Sequence, residues 1–208
     1  MGGMHDKKQH HTQRGEAQKQ KLVDAAYDII AEQGFEGLRT REVALRAHLN
    51  ISTLHYYFES KEDLVRSVAQ RLLSEFKSTA DQQGLKRNAV EKLHKAFSDQ
   101  VQLIRTRPAT YIVVMELFTK SLHDPKLGPV AKELLDTWEK HFRSFITEGL
   151  ESGLMASDSE PLVTTRMLQC LMLGRALTFL IRGEDLSRDP MFHQVSRWLS
   201  PDRNRSIT

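Results

Sequence analysis

A chain of 208 residues with 39% apolar and 27% charged side chains can bury a core and is not a disordered polyelectrolyte. Its single cysteine, Cys170, excludes an internal disulfide and a multi-cysteine metal site, and reads as an inert small hydrophobe. The polar N-terminus holds no signal-peptide stretch. The most apolar window, Leu168 to Ile181, is broken by Gln169 and Arg175 and is too short to cross a bilayer, so a cytoplasmic protein without a membrane partner is expected.

Residues 1–13 lack apolar periodicity and read as a flexible basic arm, with His5, His10 and His11 solvated rather than metal-bound. From Arg14 the pattern is helical, with Leu22, Ala26, Ile29 and Ile30 on one face and Gly34 as the stop. Thr40 is placed to N-cap a short helix with Val43, Ala44 and Ala47 inward, and Asn50 to cap another with Leu54 and Phe58 inward. Ser60 opens a long helix in which Leu64, Val68, Leu72 and Phe76 recur every four residues, with Asp63 completing a variant capping box. Further helices are expected over 88–106, 109–122, 126–152, 160–182 and 190–199. Pro108, Pro125 and Pro190 stand near three of their starts, with Asp124 and Asp189 as caps before two. No stretch alternates as a strand would, so the fold class is all-α with about nine helices.

The formal net charge of +3 is unevenly spread. Residues 1–21 hold five bases against two acids, and residues 39–58 hold Arg39, Arg41 and Arg46 against Glu42. Between them, Asp24, Asp28, Glu32 and Glu36 occur with no Lys or Arg in residues 22–38. A local basic patch matters more to a polyanionic partner than the total charge does.

The stretch Thr40–Leu64, TREVALRAHLNISTLHYYFESKEDL, sets a short helix, a turn, a second short helix and a long helix in series. In such an arrangement the first short helix lies across the DNA backbone and the second enters the major groove. With Leu54 and Phe58 inward, Ser52, Thr53, His55, Tyr56 and Tyr57 are left to face DNA. This ordered string resembles the signature of the tetracycline-repressor (TetR) family. The matching residues are Thr40, Val43-Ala44, Ala47, Ser52-Thr53-Leu54, Tyr57-Phe58 and Ser60-Lys61-Glu62-Asp63-Leu64, with Ala25-Ala26 and Gly34-Phe35 before them. The detailed resemblance covers roughly residues 18–66. It departs from the family pattern at His48, where glycine is usual in the turn, and at His55, where tyrosine is usual.

The resemblance implies a DNA-binding transcription regulator without enzymatic activity. It implies a homodimer on a double-stranded operator, released by a small-molecule effector. Thr40, Asn50, His55, Tyr57 and Lys61 would hold phosphates, while Arg41, Ile51, Ser52, Thr53 and Tyr56 would lie at base edges. Arg41 is the best match to a guanine, because a guanidinium fork fits two acceptors. Tyr57 is equally compatible with packing on the first helix. Residues 14–60 would form the DNA-binding domain and 61–208 the ligand-binding and dimerisation domain, with the last two long helices pairing across the dimer.

Residues 88–208 carry no metal signature, nucleotide loop or nucleophile elbow, and no cofactor is expected. An effector pocket would draw on Tyr111, Met115, Phe118, Trp138, Phe142, Met167 and Leu171, with polar handles among Tyr111, Glu116, His141 and Arg175. Each of these is also compatible with ordinary core, and Glu116 with solvent. Two other readings stay open: an activator or effector-independent regulator of the same fold, and an all-α ligand carrier or enzyme whose N-terminal helices are merely structural.

Overall fold

The computed structural model describes the backbone of residues 3–81, 87–156, 158, 160–183 and 190–201, and the side chains of these from residue 14 onward except 77–81 and 192. The described residues form nine α-helices and no strand. In chain order these are α1 (Gly3–Gly37), α2 (Thr40–Arg46), α3 (Ile51–Tyr57), α4 (Lys61–Asp81), α5 (Ala89–Thr106), α6 (Pro108–Ser121), α7 (Gly128–Glu151), α8 (Pro161–Arg182) and α9 (Met191–Leu199).

Most helix ends fall where local chemistry put them. Gly34 adopts φ 66°, ψ −172°, a conformation that L side chains rarely enter, and the helical run breaks there. Asn50 caps α3 through its Oδ1, which accepts from Thr53 N at 2.7 Å. Ser60 Oγ accepts from Asp63 N at 3.1 Å at the start of α4. Asn88 and Glu91 form a reciprocal capping box on α5.

Four boundaries differ from the sequence reading. The backbone of residues 3–13, read as an arm, continues α1, and the side chains of His5, His10 and His11 lie outside the described residues. Arg39 rather than Thr40 is the N-cap of α2, and it makes no side-chain cap bond; Thr40 is the first helical residue. Asp124 organises a turn, its Oδ1 accepting from Lys126 N at 3.1 Å, and α7 starts only at Gly128. Pro190 caps α9 instead of entering it, and Asp189 lies outside the described residues.

The chain divides into two compact units. One comprises residues 1–74 and 112–131, the other 75–111 and 132–208. In the first, Leu22, Ile29, Ile30, Leu38, Leu54 and Leu64 are fully buried, and α1, α2 and α3 pack on one another. Acids on α1, with no Lys or Arg in residues 22–38 to pair them, are met by bases from elsewhere. Arg71 reaches Asp24 at 2.8 Å and lies over the Tyr27 ring, Arg46 reaches Glu32 at 2.7 Å, and Lys120 reaches Glu36 at 3.4 Å. The Phe35 N–H, freed by the break at Gly34, donates to Glu116 Oε2 at 3.1 Å. A Cβ at Gly34 would stand 2.9 Å from that same oxygen.

The core of the second unit is built by Leu93 and Phe97 of α5, Phe142 and Ile146 of α7, Leu168 and Met172 of α8, and Val195 and Leu199 of α9. On its other side α8 exposes Val163, Met167, Leu177 and Ile181, together with Cys170 and Gly174. Their spacing alternates four and three residues, the period of a helix seam that packs on another helix. Cys170, read from sequence as an inert small hydrophobe, is exposed within this stripe.

Candidate nucleic-acid interface and buried cavity

The turn between α2 and α3 runs through Ala47 in the right-handed region and His48 at φ 54°, the only non-glycine residue with positive φ among those described. That geometry is the one a glycine adopts without cost, so His48 holds the turn at the price of backbone strain. It delivers Asn50 to the start of α3, where one oxygen gathers three donors: Thr53 N, Thr53 Oγ1 at 2.7 Å and Ser52 Oγ at 2.6 Å. The two hydroxyls therefore spend their protons on Asn50 and turn lone pairs outward. In this state they accept, which matches the exocyclic amines of adenine or cytosine.

Leu54 and Phe58 face inward and leave the opposite side of α3 to solvent. Tyr56 is 81% exposed and Ile51 37% exposed, while Arg41, Ser52 and His55 are also exposed. Tyr57 is half-buried. Its hydroxyl donates to Gln18 Oε1 on α1 at 3.2 Å, and its ring meets Tyr56 edge-on at 4.9 Å. A Cβ on Gly15 would lie 3.3 Å from that hydroxyl, so α1 passes close to α3 here. Lys61 opens α4 with an exposed ammonium, held below its usual pKa by partial burial and by the neighbouring Lys120 cation.

The second unit contains a cavity of about 70 Å³. Its walls are chiefly aromatic: Phe76 packs edge-on against Trp138 at 4.5 Å and against Tyr111 at 5.9 Å, with Phe142 and Phe145 beside them. Asp99 and Gln100 of α5 supply polar groups, and His141 stands exposed at the rim. Burial pushes the Tyr111 hydroxyl far above the ordinary phenol pKa, although a hydrogen bond with Gln100 opposes the shift. The cavity thus disfavours negative charge.

Residues 22–68 match bacterial regulatory proteins of the tetR family, and residues 89–200 match the C-terminal region of BetI-type transcriptional repressors. The chain belongs to the TetR family. The fatty acid metabolism regulator protein of Bacillus subtilis (strain 168) is 28% identical over 134 residues, which is 64% of this chain and 68% of that one. A solved TetR-family regulator from Rhodococcus sp. superposes with a TM-score of 0.78 at 17% identity, covering 89% of this chain and all of that one. The regulator FadR from Bacillus subtilis, solved in complex with stearoyl-CoA, superposes with a TM-score of 0.75 at 21% identity over 88% of this chain and 98% of its own. The protein is accordingly a helix-turn-helix, DNA-binding transcription regulator. No helix among the described residues is long and apolar enough to cross a membrane.

Within this TetR-family fold, the residues expected at DNA fall together on α2, α3 and the start of α4, with Tyr57 turned toward α1. The residues expected around an effector do not all meet. Tyr111, Trp138, His141 and Phe142 line the cavity. Met115, Glu116 and Phe118 lie further along α6, in the part that belongs to the first unit, and the Glu116 carboxylate serves Phe35 rather than a pocket. Met167 is on the exposed stripe of α8. Leu171 and Arg175 line a surface groove with Met191, Gln194 and Trp198. Sequence reasoning missed Phe76, Asp99, Gln100, Phe145 and Met172. Phe145 follows Phe142 by one helical turn and was discoverable; Asp99 and Gln100 look in sequence like any polar face of an amphipathic helix.

Proposed function

We propose that this TetR-family regulator is a homodimeric repressor that leaves a palindromic operator when a small molecule fills the cavity. The observation that carries the reading is the outward face of α3, where Ser52, His55 and the 81%-exposed Tyr56 stand free of the core with the half-buried Thr53 beside them. Arg41, Ile51, Ser52, Thr53 and Tyr56 read base edges. Thr40, Asn50, His55 and Lys61 hold phosphates, which fix register without carrying sequence information. Tyr57 takes a positioning role instead, because its proton already serves Gln18. Residues 14–60 form the reading head and 61–208 the sensing and dimerising part, with α1 continuing into the arm. The stripe Val163–Met167–Leu177–Ile181, with Trp198 of α9, faces a second copy across a two-fold axis. The aromatic cavity supports an effector with an apolar body.

The test is binding of labelled duplexes in several salt concentrations, one duplex carrying an inverted repeat from the DNA upstream of the protein's own gene and one its scrambled sequence. A repressor of this kind binds the repeat at least about a thousandfold tighter than the scramble, with affinity falling steeply as salt rises. Equal affinity for both duplexes, or no dependence on salt, would refute the reading.

A further inference from the structure

We propose that the cavity of the second unit takes an uncharged molecule with a small apolar body and one hydroxyl group, the hydroxyl accepting from Gln100 and donating to Asp99. The inference rests on the effector-responsive reading above and narrows its ligand.

Two adjacent residues of α5 carry the argument. Gln100 is only 8% exposed, and apart from the Tyr111 hydroxyl its Nε2 has no hydrogen-bond partner among the described residues, which leaves one of its two N–H bonds unspent. Asp99 Oδ2 is likewise buried and without a partner, while its other oxygen pairs with Lys95. Buried polar atoms left unpaired are uncommon in native proteins, and two on neighbouring residues of one cavity wall are a vacancy in the bonding pattern. What is missing is one acceptor and one donor. A hydroxyl supplies both from a single atom.

The rest of the wall selects against charge. No Lys or Arg lines the cavity, so an anionic group would find no cation among the wall residues and would stand beside the Asp99 carboxylate. The raised Tyr111 hydroxyl reports the same aversion to anions. A cation would find Asp99 already paired with Lys95 and would leave the Gln100 N–H without an acceptor. The Phe76, Trp138 and Phe142 rings around these groups offer packing surface to an apolar body. Size limits it further. A cavity of about 150 Å³ holds benzene, and this one is about 70 Å³. A short alkyl chain is therefore the easier fit, and a single ring requires the rim to give, where the exposed His141 and half-buried Phe145 stand.

The experiment uses the full chain labelled with ¹³C at methionine methyls, read at Met172 in the cavity wall. Benzyl alcohol, toluene, benzylammonium and benzoate share one ring and differ in the group under test. Benzyl alcohol is expected to shift Met172 at about tenfold lower concentration than the other three, the worth of a well-placed hydrogen bond. In Gln100→Leu the advantage over toluene should collapse while toluene binding persists, which a misfolded variant would not show. The ranking in the unaltered protein decides the class by itself, so the outcome does not depend on that variant's folding. Toluene binding as tightly as the alcohol, a charged probe binding tightest, or no Met172 response to any probe would each overturn the proposal. Operator affinity measured on the same samples separates the two readings. Selective operator binding with a silent Met172 sinks this inference alone; a Met172 response without operator binding sinks the repressor reading alone.

Discussion

Leu177→Glu on α8 tests the proposed dimer face most directly. Fully burying a leucine is worth about 2 kcal/mol, and Leu177 is 45% exposed in the single chain. Covering the remainder against a partner therefore contributes about 1 kcal/mol per copy. A two-fold axis makes the site occur twice, so the apolar loss alone is about 2 kcal/mol, or roughly thirtyfold in the dimer dissociation constant. Glutamate also places two carboxylates in the proposed interface, which adds several kcal/mol of desolvation. We expect the dimer dissociation constant to rise by more than about a hundredfold, read by sedimentation equilibrium over a dilution series. Leu122→Glu is the control. Leu122 is 80% exposed just past the end of α6, in the other compact unit, and its replacement should leave association unchanged. A Leu177→Glu protein that dimerises as the parent does would refute the assignment of α8 to the interface.

Arg41→Ala should weaken the preferred operator by about 1–3 kcal/mol and relax choice at one base pair. Lys61→Ala should instead weaken all duplexes alike and reduce the salt slope by about one ion. Equal losses of Arg41→Ala on operator and scrambled DNA would remove its base-reading role. His48→Gly relieves the left-handed strain at φ 54° but adds freedom to the unfolded chain, leaving a net gain of about 0.5 kcal/mol and a melting point higher by about 1–2 °C; a lower melting point would show that the histidine side chain contributes more than its backbone costs. Asp28 is held above the ordinary carboxyl pKa by burial, with the Arg71 charge opposing. The folded state therefore binds the Asp28 proton more tightly than the unfolded chain, and this group's contribution to stability falls as pH rises from the unfolded carboxyl pKa through the raised folded value. Asp28→Asn should be more stable than the parent in denaturant titrations at pH 7, with the difference shrinking as pH falls through that range; a constant difference would refute the assignment.

Helix class and most helix ends were legible in the sequence because the forces behind them act over three or four residues. Gly34 breaks its helix through its own backbone, Asn50 and Ser60 bond to residues within one turn, and the folded chain uses each as the pattern indicated. The order of residues through Thr40–Leu64 likewise indicated that Ser52, His55 and Tyr56 of α3 are exposed, since Leu54 and Phe58 point inward. Tertiary structure decided the rest, through partners distant in the chain. Arg46, counted from sequence in the basic patch, is drawn 14 residues back to Glu32. Arg71 reaches Asp24 across 47 residues and Lys120 reaches Glu36 across 84, so the acidic run of α1 becomes a paired surface. Tyr57 finds Gln18 across 39 residues and is held to α1. The cavity depends most on the fold. Phe76, Gln100, Trp138 and Met172 come from four helices, and nothing in the local pattern of any one of them says which of its faces will meet the other three. Periodicity records that a side chain leaves water; only packing determines whether it then meets a neighbour or an empty space.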